Sequence, residues 1–483
     1  MFSAGYDASL SRITNRIDLR AHAMRIARGA VRRIARRSSR LERLLQRLRR
    51  RAAVSIPLPL APPRAEEFAH LLAVPADAPP RRARPRVVLS IGSLSAGGAE
   101  RQLAAFAAAR ATRDAVEPIV LLVHEPEGHY GHYAPMVREA GVPILAAGTK
   151  VDEAVLARLR ADRALADRLA SLPSYLRPYV VEMAGEFLSL RPDCVHAWLD
   201  HQNIWSGVAA LAAGVPHVVL STRNVNPSNF PYLDQPWFRE WYRLLASSPR
   251  VTLLNNSRAG AADYADWMGV PHDRFRVVLN GIDPAWIRRP EPEAVHALRA
   301  ELARGRRLVV GGVFRLSEEK QPLAWLETVR RVARAHPDAA FFHAGEGMLA
   351  DRFAAAARDL VEAGTLRILG RRGDVPALLA ASDALLHAAK HEGTPNVLLE
   401  AAHLGCPVVA TTAGGSPDAV AEGATGLLCD PADHDALAAN LARVLGDDAL
   451  RAQLSAAGPR WIAERFSLDR MVAETLACYP FLR

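Results

Sequence analysis

Lysine is nearly absent from this chain: of 61 basic residues only Lys150, Lys320 and Lys390 are lysine. The plainest explanation of the arginine excess is codon bias. Under such a bias a retained lysine marks a place that needs a compact ammonium rather than a planar fork. Cysteine is scarce as well. Cys194, Cys406, Cys429 and Cys478 are scattered, which argues against a zinc site and against a disulfide framework. Aromatic residues make up 6% of the chain, and with abundant alanine this favours a helix-rich α/β chain over an all-β one. No apolar run reaches the roughly 18 residues of a membrane span. The first ten residues lack the basic-then-apolar order of a secretory signal, so a cytoplasmic chain is expected. Gly97-Gly98 is not the GxGxxG fingerprint, and nothing points to NAD. Asp433-His434-Asp435 has the Asp-x-Asp form of a metal site but reads as a helix cap. No metal and no cofactor are expected.

What the chain does contain is length, apolar mass and a lopsided charge. Its 483 residues are half hydrophobic, enough for two large cores and roughly two to four domains. The net charge of +10 is unevenly placed. Residues 1–85 hold 19 Arg against 6 acidic residues, leaving the remainder at about −3, ordinary for a soluble enzyme. Within residues 1–54, positions from Ile13 to Leu48 recur by three and four (Ile13, Ile17, Arg20, Met24, Ala27, Val31, Ile34, Ser38, Leu41, Leu45, Leu48), mostly apolar in an Arg-dense background. That is a basic amphipathic helix, suited either to an anionic membrane surface or to a solvated helical hairpin or coiled coil. Nucleic acid is not expected, because no aromatics are interleaved for base stacking. Residues 55–85 are rich in Pro, Ala and Arg and read as an extended linker.

From Arg86 the pattern changes. Val87-Val88-Leu89-Ser90-Ile91 is a short buried-type strand running into Gly92, the loop Ser95-Ala96-Gly97-Gly98 and a helix from Ala99. Further strands are expected at 118–123, 194–198, 217–221, 252–255 and 276–279, with an Ala/Leu/Arg-rich helical insertion over 151–186. After Asn280-Gly281-Ile282-Asp283 the alternation restarts, with strands at 307–313, 339–343, 367–369, 384–387, 407–411 and 426–429. Two successive βα alternations imply two doubly wound parallel sheets with a cleft between them. The expected organisation is residues 86–284, residues 285–460, and a terminal helix over 461–483.

The chemistry concentrates in His391-Glu392-Gly393-Thr394-Pro395-Asn396-Val397-Leu398-Leu399-Glu400. Pro395 suits the first turn of a helix that ends near Gly405 and Pro407. The N–H groups from Thr394 to Val397 then form an anion site reinforced by the helix dipole. Asn396 and Glu400 share a helical face. Carboxylates on either side of a phosphate site suit hydroxyl recognition, since sugar hydroxyls donate to acidic oxygens. A second block, Arg315-Leu316-Ser317-Glu318-Glu319-Lys320, supplies a fork and a point charge able to neutralise a diphosphate.

The spacing Glu392-x7-Glu400, with Gly393 and Asn396-Val397 inside it, resembles the signature of the retaining GT-B glycosyltransferase family 4 (glycosyltransferase group 1). Residues 401–411 and Gly414-Gly415 resemble the continuation of that block, with Asp418 where the family usually has Glu. Arg315-x4-Lys320 resembles the family's diphosphate clamp. Gly345-Glu346-Gly347 resembles its Gly-acid-Gly turn, Asn280 to Asp283 its interdomain hinge, and Gly97 to Gln102 its N-terminal Gly loop. The resemblance covers residues 87–478. It implies an α/β GT-B fold of two Rossmann-like domains facing a central cleft, preceded here by the basic helical extension. It also implies a nucleoside-diphosphate sugar as donor, with no metal strictly required. Arg315 and Lys320 would hold the diphosphate, Glu392 the donor sugar and Glu400 the ribose. Arg367 and Ile368 would lie at the base, and the terminal helix would cross back to the first domain.

The acceptor is expected to be a hydroxyl. His196 and His201, brought to one strand end, are candidates to orient it, and Arg223 is a candidate for an anionic acceptor such as a lipid phosphate. The resulting reading is a retaining glycosyltransferase of cell-surface polysaccharide or lipid-linked glycan assembly, peripheral on the inner face of the cell membrane. The alternatives are a nucleotide-sugar epimerase of related fold and a catalytically inactive donor-binding scaffold.

Overall fold

The computed structural model describes residues 65–71, 74, 76, 82–147, 157 and 159–482. The basic helix over 1–54, most of the 55–85 linker and the start of the helical insertion lie outside the described residues. Where the linker is described it departs from an extended spacer. Ala65–Leu71 is a 3-10 helix whose Phe68 is buried beside Trp241, ring centroids 5.2 Å apart. An apolar side chain with a core to enter overrides the extended preference of the surrounding prolines.

The first sheet contains β1 Arg86–Ile91, β2 Glu117–Leu122, β3 Ile144–Ala146, β4 Cys194–Trp198, β5 His217–Ser221, β6 Val251–Asn255 and β7 Phe275–Val277. It is parallel throughout, in the order β3-β2-β1-β4-β5-β6-β7. The second contains β8 Leu308–Val313, β9 Ala339–Ala344, β10 Leu366–Ile368, β11 Ala384–His387, β12 Val408–Thr411 and β13 Gly426–Cys429, in the parallel order β10-β9-β8-β11-β12-β13. β3 is the strand the sequence reading does not announce.

The strands read as near-continuous apolar runs because helices cover both faces of each sheet. In the first sheet Val88, Val195, Ala197 and Leu220 point to one core, shared with the helices Arg177–Leu190, Asp200–Ala212 and Phe238–Ala246. Their alternates Val87, Leu89, Cys194 and Trp198 point to the other, shared with the helix Gly98–Ala108. Met471, Val472 and Tyr479, from the chain's last elements, complete that second core. The terminal helix Leu468–Leu476 therefore packs on the first sheet, although the residues just before it belong with the second. Full burial of each such side chain contributes about 1.5–3 kcal/mol. The crossing lies against the hinge: Ile282 N–H donates to the Phe466 carbonyl at 2.7 Å, and Leu468 N–H to the Ile282 carbonyl at 3.1 Å. Gly281 permits this approach, since a Cβ there would stand 3.0 Å from the Leu468 Cα.

In each sheet the chain winds outward on one side of its first strand, then returns to the other. The reversals fall between β1 and β4 and between β8 and β11, where crevices open beyond the strand ends. No described helix is long and apolar enough to cross a membrane.

Candidate active site

β11 ends at His387, and two buried alanines later the chain reaches the acidic loop. Glu392 is 7% exposed. Its Oε1 accepts from His387 Nε2 at 2.7 Å and from the Lys320 ammonium. Burial alone would raise the Glu392 carboxyl. The Lys320 charge and the His387 hydrogen bond prevail and hold it at about 2. His387 is a site residue that sequence reading missed. Its only signal was its position at a strand end five residues before Glu392.

The helix that follows is Asn396–Leu404, closed by Gly405 at φ 78°. Pro395 stands at the N-cap, with φ −70° and ψ 112°, one residue before the expected first-turn position. The preceding residue fixes this: Thr394 donates to the Asn256 carbonyl, and its own carbonyl accepts from Asn280 Nδ2 at 3.0 Å. Asn396 Oδ1 accepts from Asn280 Nδ2 at 2.8 Å and from Gln102 Nε2 at 3.3 Å. One turn on, Glu400 pairs with Arg101. Asn396 and Glu400 thus share a face turned to the first domain.

Across the cleft, the helix Gly98–Ala108 begins against the start of Asn396–Leu404. A Cβ on Gly98 would stand 2.6 Å from Asn396 Nδ2. Two helix N-termini therefore meet, Gly97-Gly98 on one side and Gly393 to Val397 on the other. Each carries the positive end of a helix dipole and N–H groups beyond the helical ladder.

The two cations of the Arg-x4-Lys block part company. The short turn Glu318–Lys320 is pinned to the acidic loop, Lys390 N–H donating to the Glu319 carbonyl at 2.7 Å, and this delivers Lys320 to Glu392. Arg315 instead donates to Glu319 Oε1 at 2.8 Å and to the hydroxyl of Tyr232 in the first domain at 2.9 Å. Its charge still acts on Glu392 and on Glu100, so both cations border one crevice. Beside them lies a cavity of about 500 Å³ lined by Tyr232, Glu318, Gln321, Lys390 and His391.

The remaining candidates are placed as follows. Gly415 N–H donates to the Gly393 carbonyl at 2.9 Å, so the Gly pair props the acidic loop. Asp418 accepts from Arg258 N–H at 2.9 Å and pairs with the Arg258 guanidinium, tying the two domains. The Arg367 guanidinium is committed to Glu301, at 2.7 Å and 3.0 Å. Asp433 caps the helix His434–Gly446 through Ala436 N–H at 2.8 Å, and Asp435 pairs with Arg331.

The histidine expectation needs correction: His196 and His201 do not converge. His196 is fully buried on the face of β4 that it shares with Cys194 and Trp198, and its Nδ1 meets the Tyr479 hydroxyl at 2.9 Å. His201 packs in the opposite core, its ring centroid 4.8 Å from that of Phe238 and 5.1 Å from that of Trp205. Burial pushes His196 down to about 3 and His201 to about 4. The helix starting at Asp200 turns the second histidine through the sheet, which strand-end proximity in sequence conceals.

Family models match both halves of the chain. The family model for glycosyl transferases group 1 matches residues 297–461, which contain Arg315, Lys320, Glu392 and Glu400. The model for glycosyltransferase family 4 matches residues 96–286, which contain the Gly loop. The chain is 28% identical over 420 residues to the Vi polysaccharide biosynthesis protein VipC/TviE of Salmonella typhi, covering 82% of this chain and 72% of that protein. It is 30% identical over 308 residues to the D-inositol 3-phosphate glycosyltransferase of Salinispora arenicola, covering 59% of this chain and 67% of that one. Among solved structures, Anabaena Alr3699/HepE in complex with UDP and glucose superposes with a TM-score of 0.67 at 22% identity, over 82% of this chain and all of that one. WaaG, a glycosyltransferase involved in lipopolysaccharide biosynthesis, gives 0.59 at 18% identity, over 81% of this chain and 98% of that one. With two parallel Rossmann-like sheets and a family match in each half, the chain belongs to the group 1 glycosyltransferases of family 4 and has the GT-B fold.

Proposed function

We propose that the enzyme transfers a sugar from a nucleoside diphosphate to a hydroxyl with retention of anomeric configuration, in the assembly of a cell-surface polysaccharide or lipid-linked glycan. The observation that carries this reading is the meeting of two helix N-termini at Gly98 and Asn396, with the Lys320–Glu392 pair alongside. Two positive dipole ends and an ammonium form a site for a polyanion. The carboxylates at Glu392 and Glu400 suit the hydroxyls of a sugar and a ribose attached to it.

The diphosphate lies alongside the junction of the Gly97-Gly98 loop and the Asn396 helix, next to Lys320. Lys320 has three donors, of which Glu392 takes one. The others meet phosphate oxygens, and Arg315 adds its fork at the cleft rim. As the bond from the anomeric carbon to the phosphate oxygen breaks, its electron pair leaves with the nucleotide. The acceptor oxygen bonds to the same carbon from the same face, and the acceptor proton passes to the departing phosphate. Cations already in place stabilise the charge that develops on the leaving group. The acceptor enters through the cavity beside Tyr232 and His391. The UDP-bound state of Anabaena Alr3699/HepE and the polysaccharide role of VipC/TviE support this donor and product class.

The basic stripe of residues 1–54 supports work at the inner face of the cell membrane. Liposome flotation with and without residues 1–85 tests that arm. The catalytic reading is tested by nucleotide release from UDP-, GDP- and ADP-sugars. Release is expected with one nucleotide class and lost in Lys320→Ala. Binding without release from any donor would overturn transfer in favour of a scaffold, and a change in the sugar without acceptor would favour an epimerase.

A further inference from the structure

Polar groups without partners gather at the C-terminal ends of β4 and β5, where the first sheet opens on the cleft. Arg223 is 7% exposed, stands at φ 72°, and among the described residues takes part in no ion pair. Its Nη2 donates to Asn280 Oδ1, and its guanidinium lies over the Trp198 ring, 4.4 Å from the centroid. Its Nε has no hydrogen-bond partner, nor have Trp198 Nε1 and Ser221 Oγ. Trp198 and Ser221 are register partners on adjacent strands. Arg223 itself lies under the acidic loop, where a Cβ on Gly393 would meet its carbonyl.

We infer that Arg223, with Trp198 and Ser221, forms an oxyanion-binding subsite on the floor of the cleft, and that one of the two sugars joined carries an acidic group, a carboxylate or a phosphate. This rests on the transfer reading above. The argument is one of complementarity. Arg Nε and Trp Nε1 only donate, and Ser can. A buried donor without an acceptor is unfavourable, and a buried unpaired charge more so. Burial already pushes Arg223 down to about 9. A neutral sugar offers hydroxyls, which leave the charge uncompensated. An oxyanion accepts from all three donors and supplies the missing countercharge, in a charge-assisted contact that a guanidinium makes bidentate. The position beneath Gly393 sets this group beside the loop whose Glu392 meets the donor sugar.

The test is isothermal titration with matched neutral and acidic probes. UDP-glucose is compared with UDP-glucuronate, GDP-mannose with GDP-mannuronate, and methyl glucoside with methyl glucuronide and glucose 6-phosphate. At least one acidic probe is expected to bind about tenfold tighter than its neutral counterpart. That preference should vanish in Arg223→Gln and survive in part in Arg223→Lys. Thermal melting establishes that both variants fold. A preference among nucleotide sugars places the acid on the transferred sugar, and one among the free glycosides places it on the acceptor. Equal binding within every pair, or a preference that Arg223→Gln retains, overturns the subsite and leaves the cluster holding ordered water only. If no nucleotide binds at all, the transfer reading fails, while the free glycosides still decide whether Arg223 selects an acid.

Discussion

Replacing Lys320 with methionine isolates the interaction at the centre of the site. Glu392 is 7% exposed and is held at about 2 against an ordinary value of 4.5. That difference corresponds to about 3 kcal/mol. In Lys320→Met the carboxylate stays buried with His387 as its remaining partner, and loss of one partner from a buried pair costs roughly 3–5 kcal/mol. We therefore expect urea unfolding at pH 7, followed by tryptophan fluorescence, to show a deficit of about 3 kcal/mol. The sign follows from the lowered carboxyl: its stabilisation is present above pH 4.5 and is lost as pH falls from there toward 2. The deficit of the variant should therefore shrink across that window. Lys320→Met combined with Glu392→Gln should regain most of the stability at pH 7, because no buried charge is then stranded, while turnover stays lost. A deficit below about 0.5 kcal/mol at pH 7, or one that persists unchanged at pH 3, would refute the reasoning, since screened surface pairs behave that way.

Three further outcomes are expected. His196 is neutral and buried, held at about 3, so the unfolded chain binds a proton below pH 6.5 that the folded one does not. Stability should fall by about 2 kcal/mol from this group between pH 7.5 and 5, and urea midpoints of His196→Leu should lack that portion of the slope. Gly98→Val places side-chain atoms where the two helix starts meet, and titration calorimetry should show nucleotide affinity reduced at least tenfold; unchanged affinity would place the diphosphate elsewhere. Arg367→Ala should leave nucleotide affinity within about twofold, because its guanidinium is held by Glu301; a larger loss would show that the side chain turns to the base.

Much of this protein is legible from residue order alone. The strands appear as apolar runs because parallel sheets bury both faces, and the helix at Asn396 is announced by Pro395 before it and Gly405 after it. Glu392 and Lys320 were singled out by spacings that resemble a family signature, and each stands a few residues beyond a strand end. β3 was missed, although β7 and β10, equally short, were expected. The turn of Arg315 toward Tyr232 and the separation of His196 from His201 depend on contacts between segments far apart or on opposite faces of one sheet. Spacing does not encode those contacts. The same holds for Arg223, whose lack of a countercharge emerges only once the strand ends are side by side. Sequence determined which elements form and which charges border the cleft. Tertiary structure decided which of those charges are paired, because a buried charge is defined by its neighbours in space and not by those along the chain.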